Sequence, residues 1–111
     1  MKTLILITEN SVTFEFLKNE IGKKFQCSKV LDNRLTVESE SEHLFIDFDD
    51  NMRDDYDEPE IKNHDCHFFA VLYHSEDFVR KILAELLAYQ IRVDDDNGII
   101  LSLTNFLSQN S

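Results

Sequence analysis

The sequence predicts an α+β domain in which two main helices cover one face of a mostly antiparallel sheet. Short apolar and β-branched runs recur along the chain, and two segments carry apolar residues at the three- and four-residue spacing of a helix. The 111 residues suit one domain, because a second hydrophobic core would need a longer chain. The predicted order is β-α-β-β-β-loop-β-α-β-β with a short last helix, related to the split β-α-β of ferredoxin-like folds.

The first half of the chain predicts a buried strand, a helix and three short strands. Residues 2–8 form a continuous apolar run. Residues 11–24 carry an apolar stripe at helical spacing, and Asn10 or Ser11 offers the capping side chain. The next segments alternate apolar and polar residues, which is typical of half-buried strands. They span residues 28–31, 34–38 and 43–49.

The second half predicts a central strand, a second helix and two further strands. Residues 66–73 are apolar on both faces, as expected of a strand in the middle of a sheet. Ser75 is placed to cap a helix whose apolar face continues to about Gln90. Short strands at 91–93 and 99–101 follow, and Ser102 or Thr104 is placed to cap a last short helix.

Between these halves lies a stretch that we name the acidic segment, residues 49–65 (DDNMRDDYDEPEIKNHD). It shows no apolar periodicity and predicts a long loop with room for a short helical turn. Residues 38–65 carry twelve acidic and two basic side chains, a net −10 within a chain total of −11. Residues 1–37 carry a net +2 and residues 66–111 a net −3, so the imbalance is concentrated in one quarter of the chain.

This concentration of charge has two interpretations. A run of carboxylates is often only a solvated loop. Crowded carboxylates also repel one another and cost stability, so selection for a surface that meets a positive partner would explain why they are retained. The predicted partner-binding residues are Asp47, Asp49, Asp50, Asp54, Asp55, Tyr56, Asp57, Glu58 and Glu60.

Tyr56 interrupts the acids, together with Met52 and Pro59. Tyrosine is enriched at binding hot spots, which favours an aromatic anchor within an acidic rim. The alternative is that Tyr56 packs the segment onto the domain. Asp94, Asp95 and Asp96 form a second acidic cluster beside an Asn-Gly pair typical of a type I′ turn. This cluster would join the same negative surface if the turn lies near the segment.

No motif for catalysis or metal binding stands out. In an EF-hand register that uses Asp47, Asp49 and Asn51, Met52 occupies the position that requires glycine. Cys66 and the following histidine point to opposite faces of a strand, so these two neighbours cannot coordinate the same zinc ion. Cys66 also opens a buried strand, where thiols are usually inert. No catalytic residue, metal site or cofactor is therefore predicted, and an enzyme is the minority hypothesis.

Charge and composition exclude several partners and favour one compartment. A net charge of −11 disfavours direct binding to nucleic acid or to an anionic membrane. No apolar stretch approaches the roughly 20 residues of a membrane span, and the first apolar run is too short for a signal peptide. Cys27 and Cys66 are far apart in sequence and are expected to be free thiols, which favours the cytoplasm; the alternative is a single disulfide between them.

In size, acidity and lack of a catalytic motif, the chain resembles the bacterial immunity proteins that protect a cell from nuclease-type toxins. The resemblance spans the whole chain as overall character and carries no motif residues over. It implies inhibition by occlusion, in which carboxylates of residues 47–60 occupy the cationic site of a toxin nuclease domain. The alternatives are a nucleic-acid mimic that inhibits a DNA-handling enzyme, a small ligand-binding or enzymatic domain, and a homo-oligomeric module paired through an edge strand such as residues 99–101.

Overall fold

The chain builds one sheet from strands of both halves of the sequence. The computed structural model describes residues 1–62, 65–95 and 99–109. Within these ranges the strands are β1 (Lys2–Glu9), β2 (Gln26–Leu31), β3 (Arg34–Glu38), β4 (His43–Phe48), β5 (Cys66–Tyr73), β6 (Ile91–Asp94) and β7 (Ile100–Ser102). The α-helices are α1 (Phe14–Gly22), α2 (Pro59–Lys62), α3 (Glu76–Ala84) and α4 (Leu103–Ser108), and a 3₁₀-helix spans Asp50–Asp55.

The strands lie in the order β2-β3-β4-β5-β1-β6-β7, and every neighbouring pair is antiparallel. Because β5 and β6 both pair with β1, they run parallel to each other with β1 between them, and α3 connects them as a split β-α-β unit. The predicted α+β class with a mostly antiparallel sheet is confirmed. The complete seven-strand order is not that of a four-stranded ferredoxin-like sheet, so that finer expectation is not confirmed.

The larger hydrophobic core lies between one face of the sheet and helices α1, α3 and α4. Alternate residues of the strands point into it, as the period of two predicts. Apolar residues at alternate positions of β3 and β4 face this core: Leu35, Val37, Leu44 and Ile46 are each 0% exposed, and Phe48 is half-buried against it. The helices contribute mainly Leu17, Ile21, Phe78, Val79, Ile82, Leu83 and Phe106.

The helices are shorter than the sequence predicts. α1 begins after Thr13, whose hydroxyl accepts a hydrogen bond from the Phe16 amide at 3.1 Å, and not after Asn10 or Ser11. Ser75 caps α3 as predicted. α3 ends at Ala84 because the following amides bond three residues back instead of four, the Leu86 amide to the Leu83 carbonyl at 2.9 Å. Leu86 nevertheless stays buried, which explains why the apolar stripe continues beyond the helix.

A second, smaller core lies on the opposite face of the sheet. Ile7 of β1 and Phe68 of β5 point away from the large helices and pack with Tyr56 and Ile61. The stretch at 49–65, expected as a long loop with room for a short helical turn, contains the 3₁₀-helix and the four-residue α2, and it packs against this face through Tyr56 and Ile61. The physical reason is that central strands apolar on both sides need cover on both faces. No helix in the described part of the chain is long and apolar enough to cross a membrane.

Candidate functional site: the acidic segment

The inner side of the acidic segment is apolar and holds it against the sheet. The Tyr56 ring stacks on Phe68 with ring centroids 5.5 Å apart and the planes 25° from parallel. Tyr56 is 8% exposed and Ile61 is 1% exposed, and half-buried Met52 packs against the same cluster. Tyr56 thus packs the segment onto the domain and does not stand at the surface as an exposed aromatic anchor.

The segment's arginine also points inward. The Arg53 guanidinium donates a hydrogen bond to the backbone carbonyl of Cys66 at 2.5 Å and lies 5.5 Å from the centre of the Phe68 ring. Stacking over an aromatic ring and bonding to a backbone carbonyl suit the planar, weakly hydrated guanidinium. A cationic group is therefore drawn toward the sheet, away from the outer side of the segment.

Two of the predicted site residues hold the start of the segment in place. Asp49 caps the 3₁₀-helix by accepting the Asn51 amide at 3.0 Å. The Asp50 carboxylate accepts the Phe68 amide at 3.2 Å and lies 3.1 Å from Nδ1 of His67. Carboxylates at a helix N-terminus are also favoured by the helix dipole. These two acids have structural partners within the chain, which distinguishes them from the acids that follow.

Asp47 is likewise engaged. It lies on β4, and its two oxygens accept bonds from Nε and Nη2 of Arg34 at 2.6 and 2.7 Å. The same hydrogen bonding raises the pKa of Arg34. The Arg34 guanidinium also lies 4.8 Å from the centre of the Phe45 ring. Asp47 is therefore neutralised by a paired arginine and adds little to the negative field of the segment.

Four further acids of the predicted site form the outward side of the segment. All of them are exposed, and across residues 1–62, 65–95 and 99–109 the structure gives their side chains no hydrogen bond or ion pair. They are Asp54, Asp55, Asp57 and Glu58. Together they present four carboxylates on a short ordered stretch, and this set is named the carboxylate face.

Tyr56 joins the second acidic cluster to the segment. Its hydroxyl donates a hydrogen bond to Oδ2 of Asp94 on β6 at 2.7 Å. Burial, followed by this bond and the nearby carboxylates of Asp94, Asp55 and Glu58, raises the pKa of Tyr56 well above its ordinary value. Asp94 therefore lies at the segment, and Asp95 follows it in the chain. Glu60 and Asp96 lie outside the residues whose side chains the structure describes.

The other chemical groups of the chain are arranged as structural side chains. Cys66 is buried on the second face with its Sγ 3.7 Å from the Ile61 carbonyl oxygen, whereas His67 contacts Phe48 on the opposite side of the strand. Cys27 and Cys66 are both free thiols. Among the described residues, no three His, Cys, Asp or Glu side chains are placed to hold a metal ion.

A cavity of about 520 Å³ opens where β1 meets β6. Its wall carries the carboxylates of Glu9 and Asp65, the Arg92 guanidinium and the Cys66 thiol. Because groups of both charges share this wall, the cavity favours no single class of ligand. It is the place where the alternative of a small ligand-binding or enzymatic domain would have to be tested.

The apolar inner side of the segment was missed by sequence reasoning, although two signals for it exist. Met52 and Tyr56 are four residues apart, and Ile61 follows after five, a weak amphipathic pattern. The stronger signal is β5, because a strand apolar on both faces implies a second covering layer. The acidic segment is the only long stretch of sequence that the predicted helices and strands leave over to supply it.

Comparison with known proteins gives no match: no family model, no curated protein and no solved structure is significantly similar to the chain.

Proposed function

We propose that the chain is a cytoplasmic binding protein that neutralises a basic protein, and that it serves as a bacterial immunity protein against a nuclease-type toxin. The observation that carries this proposal is the two-sided construction of the acidic segment. Tyr56, Ile61 and Arg53 face the sheet, while the carboxylate face points outward without a partner in the described chain. Such a surface is complementary to a cationic one.

The ordered state of the segment favours a binding surface over a merely solvated loop. A solvated loop needs no buried aromatic, and its ordering on binding would cost conformational entropy. Here Tyr56 and Ile61 already fix the backbone that carries the carboxylates. A surface ordered in advance avoids that cost and so binds more tightly for the same contacts.

The proposed mechanism is occlusion of a nucleic-acid site. Nucleases hold phosphates with lysine and arginine side chains, so their sites are cationic. The carboxylate face would occupy the positions of the phosphates and exclude RNA or DNA. Charge complementarity would also raise the association rate toward about 10⁸ M⁻¹s⁻¹ at low salt, which suits an inhibitor that must act before damage occurs.

The compactness of the carboxylate face favours this mechanism over nucleic-acid mimicry. A mimic of duplex DNA needs carboxylates repeated along an extended face, with the spacing of the phosphates. The four carboxylates of this face lie between residues 54 and 58, at the end of the 3₁₀-helix and before α2. A cluster of this size suits one basic site better than it suits a surface that normally binds a duplex.

The test first asks whether the coding region next to that of this chain encodes a basic protein. If it does, that protein is purified separately and its activity on RNA and DNA is measured as the chain is added; a neighbouring region that encodes no basic protein would count against the immunity function. The variant D54N/D55N/D57N removes three carboxylates from the face. The matched control E15Q/D32N/D77N removes three exposed carboxylates elsewhere. We expect wild type and control to inhibit stoichiometrically and the face variant to bind about tenfold or more weakly.

The association rate is measured in the same experiment over a range of salt concentrations. We expect it to fall steeply with salt for wild type and control, and less for the face variant. Equal inhibition by all three proteins, or an association rate independent of salt, would contradict occlusion by the carboxylate face. Failure of the wild type to bind or inhibit this protein would remove the proposed immunity function.

A further inference from the structure

Part of the second sheet face extends beyond the acidic segment. Strand register places Phe45 directly opposite both Leu72 and Thr36, and places Ile5 opposite Ala70. Ala70 and Leu72 lie two and four residues after Phe68 on β5, so their side chains point to the same face of the sheet. Ile5, Phe45 and Thr36 share that face, because residues directly opposite each other on neighbouring strands point to the same side. We name them the open patch: Ile5, Thr36, Phe45, Ala70 and Leu72.

Two half-buried apolar side chains of the open patch belong to neither core. Thr36 of the patch is buried, at 7% exposed, and register places the paired Arg34 and Asp47 beside Ala70 on the same face. Phe45 and Leu72 are only half-buried, and neither is part of the large core or of the cluster under the acidic segment. Ile5 borders the patch on the segment side, where it packs against the second cluster. In the described ranges, helices α1, α3 and α4 contribute their buried residues to the other face, so they do not cover these side chains.

Acidic residues stand on both sides of the patch. On one side lies the acidic segment, whose Tyr56 bonds to Asp94, the residue paired with Ile5. On the other side the β3–β4 turn carries exposed Glu38 and Glu40 and half-buried Glu42. This turn, together with Thr36 and Phe45, lines a concavity of about 570 Å³.

The cation nearest the floor of the patch is already compensated. Arg34 lies over Phe45, but its guanidinium is paired with both oxygens of Asp47.

The patch is long enough along β5 to hold a helix. Six residues separate Phe68, which lies under the segment, from His74, whose ring lies 6.1 Å from the ring of His43. Six residues of strand span about 20 Å, which is wider than the roughly 10–12 Å of a helix with its side chains.

We infer that the open patch is the docking site for a basic amphipathic helix of the protein partner. The inference rests on the proposed function and adds the shape of the partner's contact to it. An apolar floor between two acidic sides is complementary to a helix with one apolar face flanked by lysine or arginine. Burial of Phe45 and Leu72 would supply affinity, and the acidic sides would select for positive charge.

The test uses two short synthetic peptides of the same lysine and leucine composition. In one, all leucines lie on one helical face; in the other they are spread around the helix. Binding is measured by titration calorimetry, and the contacted residues are identified by backbone amide shifts in NMR. We expect the amphipathic peptide to bind more tightly and to shift the amides of Ile5, Phe45 and Leu72.

Variants separate the floor from the acidic sides. F45T/L72T keeps β-forming residues but removes the apolar floor, and L87T is the control because Leu87 is an exposed leucine, 46% accessible, outside the patch. We expect F45T/L72T to weaken the amphipathic peptide about tenfold or more, to leave the other peptide unchanged, and to leave L87T like wild type. D54N/D55N/D57N should weaken both peptides.

The outcomes distinguish this inference from the proposed function. If F45T/L72T binds both peptides as wild type does while D54N/D55N/D57N weakens both, the open patch is not the docking site and the carboxylate face stands. If D54N/D55N/D57N changes neither peptide, the proposed use of the carboxylates fails. If sedimentation shows a dimer of the chain that F45T/L72T converts to monomer, the occupant is a second copy and the inference is overturned.

Discussion

The hydroxyl of Tyr56 donates a 2.7 Å hydrogen bond to Oδ2 of Asp94, which joins the acidic segment to the sheet across 38 residues of sequence. The same tyrosine ring stacks on Phe68, so its apolar body and polar tip are both used within the chain. This bond brings the two acidic clusters together, although it uses the Asp94 carboxylate as a hydrogen-bond acceptor within the chain. The bond makes the position of the segment sensitive to the ionisation of Tyr56.

Replacing Tyr56 by Phe tests this link through the pH dependence of stability. The raised pKa of Tyr56 means that the folded state keeps the phenol protonated where the unfolded state ionises. Its contribution is therefore complete below pH 10 and is lost as pH rises above that value, by up to ~1.4 kcal/mol per pH unit. We expect Y56F to be about 1.5 kcal/mol less stable at pH 8, with the difference shrinking above pH 10.

Urea unfolding at pH 8, 9.5 and 10.5 is the measurement for Y56F and wild type. The pKa values of Tyr73 and Tyr89 are also raised, the first mainly by burial and the second mainly by a hydrogen bond to Glu20. Both proteins keep those tyrosines, so their effect cancels in the comparison. Parallel stability curves for the two proteins across this range would show that Tyr56 does not respond as its surroundings imply.

Replacing Ile61 by Ala tests whether the segment is held by the second core. Ile61 lies on α2 and is 1% exposed, and its truncation should cost about 2–4 kcal/mol. Because it lies in the smaller cluster, we expect local release of the segment before global unfolding. A protease that cuts before aspartate should therefore cleave at residues 54–57 much faster in I61A than in wild type.

The control for this experiment is I82A, a truncation of similar size in the large core. It should lower global stability by a similar amount without selectively exposing the segment. If I61A and I82A show the same cleavage pattern, the segment does not open as a separate unit. Hydrogen exchange of the Tyr56 amide, which donates to the Arg53 carbonyl at 3.2 Å, gives a second readout of the same opening.

Most of the secondary structure follows from local rules. The bounds of β3 and β5 match the predicted residues, since their apolar alternation and their flanking turns are local signals. Ser75 was recognised as a cap, and Ser102 was one of two candidates with Thr104, because these hydroxyls precede apolar helical stretches. The α1 cap was misplaced, because Asn10, Ser11 and Thr13 are all capable cap residues and packing, not propensity, selects among them.

The structure of the acidic segment does not follow from local rules. Its two short helical stretches have too few residues for a clear period, and its inner side chains find their partners in β5 and β6, distant in sequence. The individual roles of the carboxylates were unpredictable for the same reason. Nothing local to Asp47 or Asp50 indicates that one pairs with Arg34 and the other accepts the Phe68 amide.

The Arg34–Asp47 pair should stabilise the sheet more than an ordinary surface ion pair. Its geometry is bidentate, its side chains are partly buried, and the guanidinium stacks on Phe45. We expect a double-mutant cycle of R34M and D47N to give a coupling of about 1 kcal/mol by urea unfolding. The Lys2–Glu76 pair, with a single contact and an exposed lysine, is the matched control and should couple near zero. Equal couplings would mean that the bidentate geometry contributes nothing measurable.

The carboxylate face should reduce the stability of the free protein, since its exposed acids repel one another within a chain of net charge −11. We therefore expect D54N/D55N/D57N to be about 0.5–1 kcal/mol more stable than wild type at low salt, and the difference to disappear near 1 M salt, where the screening length is about 3 Å.

The control E15Q/D32N/D77N should gain less or lose stability, because Glu15 and Asp77 lie in the first turns of α1 and α3 and interact favourably with the helix dipoles. Urea unfolding at two salt concentrations distinguishes the variants. If D54N/D55N/D57N is no more stable than wild type at low salt, these acids do not destabilise the free protein. Selection for a binding partner is then not needed to explain why they are retained.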